Sequence, residues 1–257
     1  MITADATTAG CAGGKSKANK SKAKTNQRIQ RLQRLKGLKM SIATVILGES
    51  GTGKSAGLRN MSHANTLLIQ SIRKPLPFRS DGWKDVTDHG NIYVSDQPES
   101  IIKAMRKTTR DVIVIDDFQY ILANEFMRRV LDKEVGNAAF AKYNEIARNA
   151  WDIFNAANQL AAHKRVYILA HTDTGDDGTT RIKTIGKLID SKIGLEGMVT
   201  IVLRTAVMAG DYRFRTRNSG ADTVKTPMGM FDDDTIENDL AAVDAAIVDY
   251  YQLAQAA

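Results

Sequence analysis

The residues best suited to chemistry in this chain form one glycine-rich segment that ends in a lysine and a serine, Gly48-Glu49-Ser50-Gly51-Thr52-Gly53-Lys54-Ser55. It satisfies the pattern G-x-x-x-x-G-K-[ST], in which successive backbone N–H groups turn inward around a phosphate. Glycine permits such a turn because it has no Cβ. We expect all eight residues to bind the phosphates of ATP, with Lys54 at the β and γ phosphates and the Ser55 hydroxyl at Mg²⁺.

The context of this segment supports that interpretation. The apolar run before it, residues 42–47, predicts a buried strand, and residues 55–61 can open a helix whose positive end faces the same anion. Residues 9–16 nearly repeat the pattern. No apolar strand precedes that second copy, and a lysine-rich polar run follows it, so we exclude it as a phosphate site.

A second apolar run, residues 111–117, ends in two acids. Four apolar residues followed by an acid are typical of a Walker B strand, so Asp116 is predicted to hold Mg²⁺ and Asp117 to polarise the attacking water. The alternative is an ordinary strand that ends in a turn acid. His171 follows another predicted strand and is a candidate sensor of the γ-phosphate, although a capped surface histidine would look the same. The predicted catalytic residues are therefore Lys54, Asp117 and His171.

Several cations are candidates for an arginine-finger role in the same subunit or across an interface. They follow a glycine- and aspartate-rich loop or lie on the helix after the acid pair: Arg181, Lys183, Lys187, Arg128 and Arg129. For each of them singly, a solvated charge is the favoured interpretation.

Apolar runs alternate with helical patterns along the rest of the chain, which predicts an α/β fold with a mostly parallel sheet flanked by helices. The predicted strands are residues 42–47, 66–70, 91–94, 111–117, 165–170 and 198–203. The predicted helices are residues 97–107, 120–133, 138–162, 185–193 and 233–251, and residues 172–180 are predicted to be a flexible loop.

Residues 211–217 alternate strictly between aromatic and basic side chains. This period of two predicts a strand with Tyr212 and Phe214 packed inward. Arg213, Arg215 and Arg217 would then form the outer face of an edge strand, where they could contact a nucleic-acid backbone or be solvated.

The basic charge of the chain is concentrated at its N-terminus. Residues 1–40 hold ten Lys and Arg residues and a single acid, whereas the remainder holds 26 basic and 28 acidic residues. We expect a largely disordered tail with a short amphipathic helix, attracted to single-stranded DNA in a salt-sensitive way. The predicted domains are this tail, residues 1–40, and an ATPase domain, residues 41–257.

Composition excludes several classes of protein. The single cysteine, Cys11, cannot form an internal disulfide, and no apolar stretch has the length of a membrane span, so we expect a cytoplasmic protein without a membrane partner. A GTPase should carry an N-K-x-D motif, which is missing. A partition ATPase of the ParA type needs a second lysine where Glu49 stands, and the acidic loop at 172–180 is unlike the arginine-rich lid of a small-molecule kinase.

Several segments together resemble a family of phage-encoded RecA-like P-loop ATPases with an AAA-type domain, grouped with Sak-type single-strand annealing proteins. They span residues 41–255: GESGTGKSAGLRNM, KPLPF, VIVIDDFQYILANEFMRR, YILAHTD, KTIGKLIDSKIGLEGMVTIVL and TPMGMF. The resemblance implies a RecA-like core, a Walker A loop at residues 48–55 and a Walker B acid at Asp116. It also implies a role in phage DNA recombination, annealing or replication, in the host cytoplasm and beside a single-stranded DNA binding protein.

Three functions remain open at this point. The first is a DNA-dependent ATPase that forms a homo-oligomer on single-stranded DNA. The second is a nucleotide-gated binding or loading module with little hydrolysis, which is favoured by Gln70 and Ser71 standing where RecA-type enzymes place a catalytic glutamate. The third is a P-loop phosphotransferase acting on a small molecule or a protein.

Overall fold

The computed structural model describes residues 40–132, 137–185 and 193–253. The predictions for the tail, including its disorder and its short helix, lie outside these residues. So do most of the helix predicted at 185–193, with Lys187, and the end of the helix predicted at 120–133. Within the described residues, no helix has both the length and the apolar character needed to cross a membrane.

The described part of the chain contains ten strands and four α-helices, joined by loops and three short 3-10 helices. The strands are β1 (Ile42–Leu47), β2 (Thr66–Gln70), β3 (Ile92–Val94), β4 (Val112–Asp116), β5 (Arg165–Ala170), β6 (Thr172–Thr174), β7 (Thr180–Ile182), β8 (Ile201–Met208), β9 (Asp211–Arg215) and β10 (Thr235–Glu237). The α-helices are α1 (Pro98–Lys107), α2 (Gln119–Arg128), α3 (Asn137–Asn158) and α4 (Leu240–Tyr251), and the 3-10 helices are Ser55–Asn60, Val86–Asp88 and Leu195–Met198.

Eight of these strands form one sheet in the order β10-β9-β8-β1-β5-β4-β2-β3. The six strands from β8 to β3 run parallel, and β9 and β10 are added antiparallel at one edge. Strand β5 therefore lies between β1 and β4, so the strand that ends in Asp116 is not the direct neighbour of the strand that precedes the glycine-rich loop. This mostly parallel α/β sheet flanked by helices confirms the predicted fold class.

Helices cover both faces of the sheet, which is why its central strands are continuous apolar runs. On one face, α1, α2 and α3 pack against alternate residues of the strands, including Val45 of β1, Ile115 of β4 and Ile168 of β5. The intervening Tyr167 points to the other face, where its hydroxyl donates to Asp244 of α4. The core thus consists of two layers, one on each side of β1, β5 and β4.

The parallel pairing fixes where polar residues gather. Leu47, the last residue of β1, pairs with Ala170 of β5, and Gln70 of β2 pairs with Asp116 of β4. Because these four strands are parallel and end in register, the segments after them emerge along one edge of the sheet. That edge is the usual place for a ligand site in an open α/β sheet.

Several predicted elements need correction. The residues predicted as a flexible loop at 172–180 instead begin the β6–β7 hairpin, which is paired through Asp173 and Arg181. The helix predicted at 55–61 is a six-residue 3-10 helix, and strand β8 starts three residues later and ends five residues later than predicted. The helix predicted at 233–251 is split, because residues 235–237 pair with β9 before α4 begins.

Candidate active site

The segment between β1 and the first 3-10 helix is a turn that requires glycine at two positions. Gly51 and Gly53 have φ angles of 79° and 95°, in the left-handed region that disfavours side chains. A Cβ on Gly53 would also lie 2.9 Å from the ring of Tyr212. The segment therefore makes the tight turn and the close backbone approach that phosphate binding requires.

Strand β8 braces the start of this loop. The Oγ1 atom of Thr205 on β8 lies 2.6 Å from Oγ1 of Thr52 and donates to the carbonyl of Leu47 at 3.2 Å. A Cβ added to Gly48 would come within 1.8 Å of the same Thr205 oxygen, so only glycine fits there. The loop is thus fixed by a strand more than 150 residues away along the chain.

Lys54 turns its ammonium group back onto the loop. It is 6% exposed, and Nζ donates to the carbonyl oxygens of Gly48 and Glu49, each at 2.8 Å. Burial lowers the pKa of Lys54 to about 8, although the charges of Asp117 and Asp116 act in the opposite direction. The loop therefore contains a cation whose present partners are only neutral carbonyl groups.

Ser55 and Asp116 come together from two separate elements, as predicted. The Ser55 hydroxyl lies 3.0 and 2.9 Å from the two carboxylate oxygens of Asp116. Asp116 is fully buried, and this burial raises its pKa, as does the neighbouring charge of Asp117. The result is a hydroxyl and a carboxylate held side by side at the end of β4.

This pair fits Mg²⁺, a hard cation that prefers oxygen ligands and binds through one or two carboxylates together with substrate phosphates. Within the described ranges, no group of three or more His, Cys, Asp or Glu side chains is arranged to hold a metal by itself. A Mg²⁺ ion at Ser55 and Asp116 would therefore take its other ligands from water and phosphate oxygens.

Asp117 follows β4 with a φ angle of 59°, an uncommon conformation for a residue other than glycine. Its Oδ2 atom is ion-paired with Lys74, and its Oδ1 atom lies 3.7 Å from Nε2 of His171. Burial acts to raise the pKa of Asp117, but hydrogen bonds and charge from His171 and Lys74 outweigh it and lower the pKa. Asp117 is thus an ionised carboxylate between two nitrogen-bearing side chains.

His171 lies directly after β5, as predicted, and faces the same place. Its backbone N–H donates to Oε1 of Gln119 at 3.2 Å, and its ring meets the ring of Tyr120 edge-on at a centroid distance of 6.2 Å. The side chain is 22% exposed. His171 is therefore positioned beside Asp117, while its role as a phosphate sensor stays a prediction.

Lys74 was not predicted as a site residue. It belongs to the KPLPF segment after β2, and its carbonyl accepts from Nε2 of Gln70 at 3.1 Å. Burial acts to lower the pKa of Lys74, but Asp116 and Asp117 outweigh it, so the pKa is raised. The available signal was the pair of prolines that follows, because Pro75 and Pro77 stiffen the loop that returns Lys74 to the sheet edge.

These side chains share one open pocket of about 470 Å³, a size typical of ligand sites, which span roughly 300–1,000 Å³. The loop backbone forms one wall, and the segments after β2, β4 and β5 form others. The polar and aromatic side chains that line the pocket are Ser50, Lys54, Ser55, Lys74, Asp117, His171 and Tyr212.

The prediction for residues 211–217 was partly wrong. Phe214 is fully buried, but Tyr212 is 50% exposed and lines the pocket instead of packing inward. Strand β9 lies between β8 and β10 and is not an edge strand. Arg213 donates to the carbonyl of Thr235, and Arg217 lies beyond the strand, so the three arginines do not form one free outer face.

The described candidates for an arginine finger do not line this pocket. Arg181 is ion-paired with Asp177 in the β6–β7 hairpin, and Arg128 donates to Asp96 at 2.6 Å. Arg129 donates to Glu145 at 2.6 Å, and the exposed Lys183 follows β7. Among the described residues, the lysines and arginines that line the pocket are Lys54 and Lys74.

Comparison with known proteins adds little detail. No protein-family model matches the chain, and no curated protein matches it. It is similar to a solved DnaB-like replicative helicase, described with its interactions with primase, at 12% identity and a TM-score of 0.40, over 68% of this chain and 51% of the helicase chain.

The chain is also similar to the VirB11 ATPase of the Brucella suis type IV secretion system in complex with sulphate, at 12% identity and a TM-score of 0.27. This match covers 74% of the present chain and 49% of the other. The present chain thus spans about half the length of these two proteins, and TM-scores this low carry no argument about activity. The chain's own topology is a mostly parallel α/β sheet flanked by helices, with a glycine-rich loop after β1 and one strand between β1 and the acid-bearing β4.

Proposed function

We propose that this protein binds ATP with Mg²⁺ in the pocket at the end of β1 and hydrolyses it. One observation carries the proposal: Asp116 of β4 meets Ser55, which is 61 residues away in the sequence and follows Lys54 directly, at a loop that only glycine can form. A cation, a hydroxyl and a buried carboxylate in this arrangement are the groups that hold a magnesium-bound triphosphate.

Each residue then has a definite part. The backbone N–H groups of residues 48–55 surround the phosphates, and Lys54 exchanges its carbonyl partners for the β and γ phosphates. Ser55 and Asp116 hold Mg²⁺, and the bound ion neutralises charge on the phosphate oxygens. The exchange favours ATP binding, because a charged partner gives Lys54 stronger hydrogen bonds than carbonyl groups do.

Hydrolysis requires a group that orients water at the γ-phosphate, and we assign this part to Asp117. Its carboxylate is ionised and lines the pocket, so it can accept a hydrogen bond from water. Nε2 of His171 lies 3.7 Å from Oδ1 of Asp117. We assign to His171 the part of holding this carboxylate and of sensing the γ-phosphate.

A second function, a nucleotide-gated binding or loading module with little hydrolysis, is favoured by a specific observation. Asp117 is the only acid that lines the described pocket, and it is ion-paired with Lys74. At the end of β2, Gln70 and Ser71 are both committed to structural hydrogen bonds, to the Lys74 and Asp116 carbonyl oxygens. Water activation is then weak unless the Lys74 contact changes.

The finer proposal is a role in phage DNA recombination, annealing or replication on single-stranded DNA, as a homo-oligomer and beside a single-stranded DNA binding protein. The family resemblance in the sequence and the basic residues 1–40 support it. In an oligomer, a neighbouring subunit would supply the finger cation that the described pocket lacks. Arg213, Arg215 and Arg217 are a weaker DNA candidate, because two of them are engaged within the chain.

The test is steady-state ATP hydrolysis with single-stranded DNA, duplex DNA or no DNA, with the Lys54→Ala variant as the blank. Stimulation by single strands would support a DNA-dependent ATPase. A rate equal to the blank, together with measurable ATP binding by the wild type, would favour the nucleotide-gated module. Transfer of the phosphate to an acceptor other than water would support the phosphotransferase alternative, and a lack of ATP binding would exclude all three.

A further inference from the structure

Lys74 is held at the acid pair by more than its own side chain. Its ammonium group is ion-paired with Asp117 and lies 3.9 Å from Oδ2 of Asp116. The Ser55 hydroxyl lies 3.0 and 2.9 Å from Oδ1 and Oδ2 of Asp116. The two adjacent carboxylates are thus shared between a hydroxyl and an ammonium group.

The backbone of the β2–β3 connection keeps Lys74 at this position. Gln70 Nε2 donates to the Lys74 carbonyl at 3.1 Å, and Ser71 Oγ donates to the Asp116 carbonyl at 3.0 Å, which ties the end of β2 to the end of β4. Pro75 then restricts the chain directly after Lys74. A lysine fixed in this way differs from an ordinary solvated loop lysine.

The preceding residue shows the contrast. Arg73 points away from the pocket, pairs with Asp85 at 2.6 Å and has a side chain that is 71% exposed. The Lys74 side chain is 39% exposed and lines the pocket with Lys54. The side chains of these two adjacent cations therefore point in opposite directions, and of the two only Lys74 is in a position to contact a ligand in the pocket.

The electrostatics explain why Lys74 lies there. Lys54 is occupied by the loop carbonyls of Gly48 and Glu49, so Lys74 is the cation that directly pairs with the acid pair. Mg²⁺ bound at Ser55 and Asp116 would neutralise part of the carboxylate charge that Lys74 now neutralises. The ammonium group of Lys74, on a flexible four-carbon stem, would then be free to turn towards the phosphates a short distance away.

We propose that Lys74 is a phosphate-contacting residue that binds the terminal phosphate of ATP from within the same chain and so makes the site prefer ATP over ADP. This inference rests on the proposed function, because it assumes that the nucleotide occupies the P-loop pocket. Lys74 of the KPLPF segment would then supply the contact to the terminal phosphate that a cation from the β6–β7 hairpin or α2 would otherwise have to make.

The experiment is calorimetric titration of the full chain with a non-hydrolysable ATP analogue and, separately, with ADP, both with Mg²⁺. Lys74→Ala should weaken binding of the analogue by about tenfold or more, the size expected when one charged hydrogen bond is removed, and ADP binding by less than about twofold. Lys74→Arg should restore part of the preference. Arg73→Ala, a neighbouring cation that points outward, is the matched control and should change neither affinity.

Three results would overturn the inference. An equal loss of affinity for both nucleotides would mean that Lys74 only supports the pocket, and unchanged affinities would mean that it does not contact the ligand. In both cases the wild type still binds, so the proposed function survives. Failure of the wild type to bind either nucleotide would remove the proposed function and this inference together. A thermal melt of each variant without nucleotide ensures that only folded protein is compared. Lys74→Gln serves as a second substitution at this position.

Discussion

At the scale of single residues, the lowered pKa of Lys54 makes ATP binding sensitive to pH. Below about 8 the ammonium group is present, and it is lost as the pH rises through that value. We expect the affinity for ATP to fall about tenfold between pH 7 and pH 9, because only the charged form binds phosphate. Lys74 also faces this group, but its raised pKa keeps it charged over that range. Titration of binding against pH measures the effect.

The same shift has the opposite sign for stability. Between about 8 and the ordinary lysine pKa of 10.5, the unfolded chain holds a proton at Lys54 that the folded chain has released. This residue therefore makes the free protein more stable as the pH rises through that window.

The control for the pH dependence of ATP binding is Lys54→Arg, whose guanidinium stays charged. If its ATP affinity falls with pH as steeply as that of the wild type, the dependence belongs to another group.

The acid pair should divide its work between metal binding and hydrolysis. In Asp116→Asn the shape is kept but the charge is removed, so we expect ATP binding to become weak and insensitive to Mg²⁺. Asp117→Asn should keep the Mg²⁺ dependence of binding and lower the hydrolysis rate by about a hundredfold. ATP binding measured with Mg²⁺ and with a chelator, together with the rate of hydrolysis, distinguishes the roles of the two acids. Equal Mg²⁺ dependence in both variants would contradict the assignment.

Local signals mark some of these residues in the sequence. The glycine spacing and the apolar run before Asp116 are local patterns; Lys54 and Ser55 line the pocket, and the buried Asp116 contacts Ser55. Lys74 has only the two prolines after it as a local signal, and the alternation at residues 211–217 predicted the wrong side for Tyr212. Their positions depend on how the β2–β3 connection and β9 fold back onto the sheet edge, and that is decided by contacts distant in sequence.

At the scale of elements, helix α4 is attached to the sheet by one buried ionic cluster. Arg165 of β5 donates two hydrogen bonds to Asp244, each at 2.9 Å, and the Tyr167 hydroxyl donates to the same carboxylate at 2.7 Å. The Arg165 side chain is only 6% exposed. Asp244→Ala would leave this charge buried without its main partner.

We therefore expect Asp244→Ala to lower the free energy of unfolding by about 3 kcal/mol, the usual cost of breaking a buried ion pair. Asp249→Ala, on the exposed side of the same helix, is the control and should change it by less than about 0.5 kcal/mol. Urea denaturation of both variants measures the difference. Similar midpoints would mean that apolar packing by Leu240, Val243 and Ile247 holds α4 without the cluster.

Strands that are continuous apolar runs were predictable, and of the three-residue strands only β3 was predicted. Strands β1, β2 and β5 match the predicted bounds because they are buried on both faces and read as apolar runs. Strands β6, β7 and β10 have only three residues each, too few to show a period of two. Their pairing is set by neighbouring strands, which explains why a loop and a helix were predicted in their place.

At the scale of the whole molecule, the parallel sheet explains why the segments after β1, β2, β4 and β5 share one pocket. Parallel strands that end in register bring their following loops to one edge, whatever the distance between them in the sequence. Because the sheet is buried by helices on both faces, this edge is where polar side chains can meet a ligand. The site is therefore a consequence of topology, and its details come from the loops.

Charge is also distributed unevenly along the sequence, and we expect this to separate the proposed nucleotide binding from the proposed DNA binding. Residues 1–40 carry all of the basic excess, because the remainder has slightly more acids than bases. We expect a chain that lacks residues 1–39 to keep its ATP affinity and to bind single-stranded DNA more weakly. Its affinity should also depend less on salt. Every DNA phosphate that the tail no longer neutralises reduces the magnitude of the slope of log affinity against log salt by about 0.7.

Fluorescence anisotropy with labelled single-stranded DNA across a salt series measures both quantities. The matched control keeps the tail and replaces Arg213, Arg215 and Arg217 with alanine, and it should leave the salt slope nearly unchanged because Arg213 and Arg217 are bonded within the chain. The opposite pattern, a flat slope in the arginine variant and a full slope without the tail, would move the DNA site onto the sheet near β9. DNA would then lie next to Tyr212 and the nucleotide pocket, and its coupling to ATP would be direct.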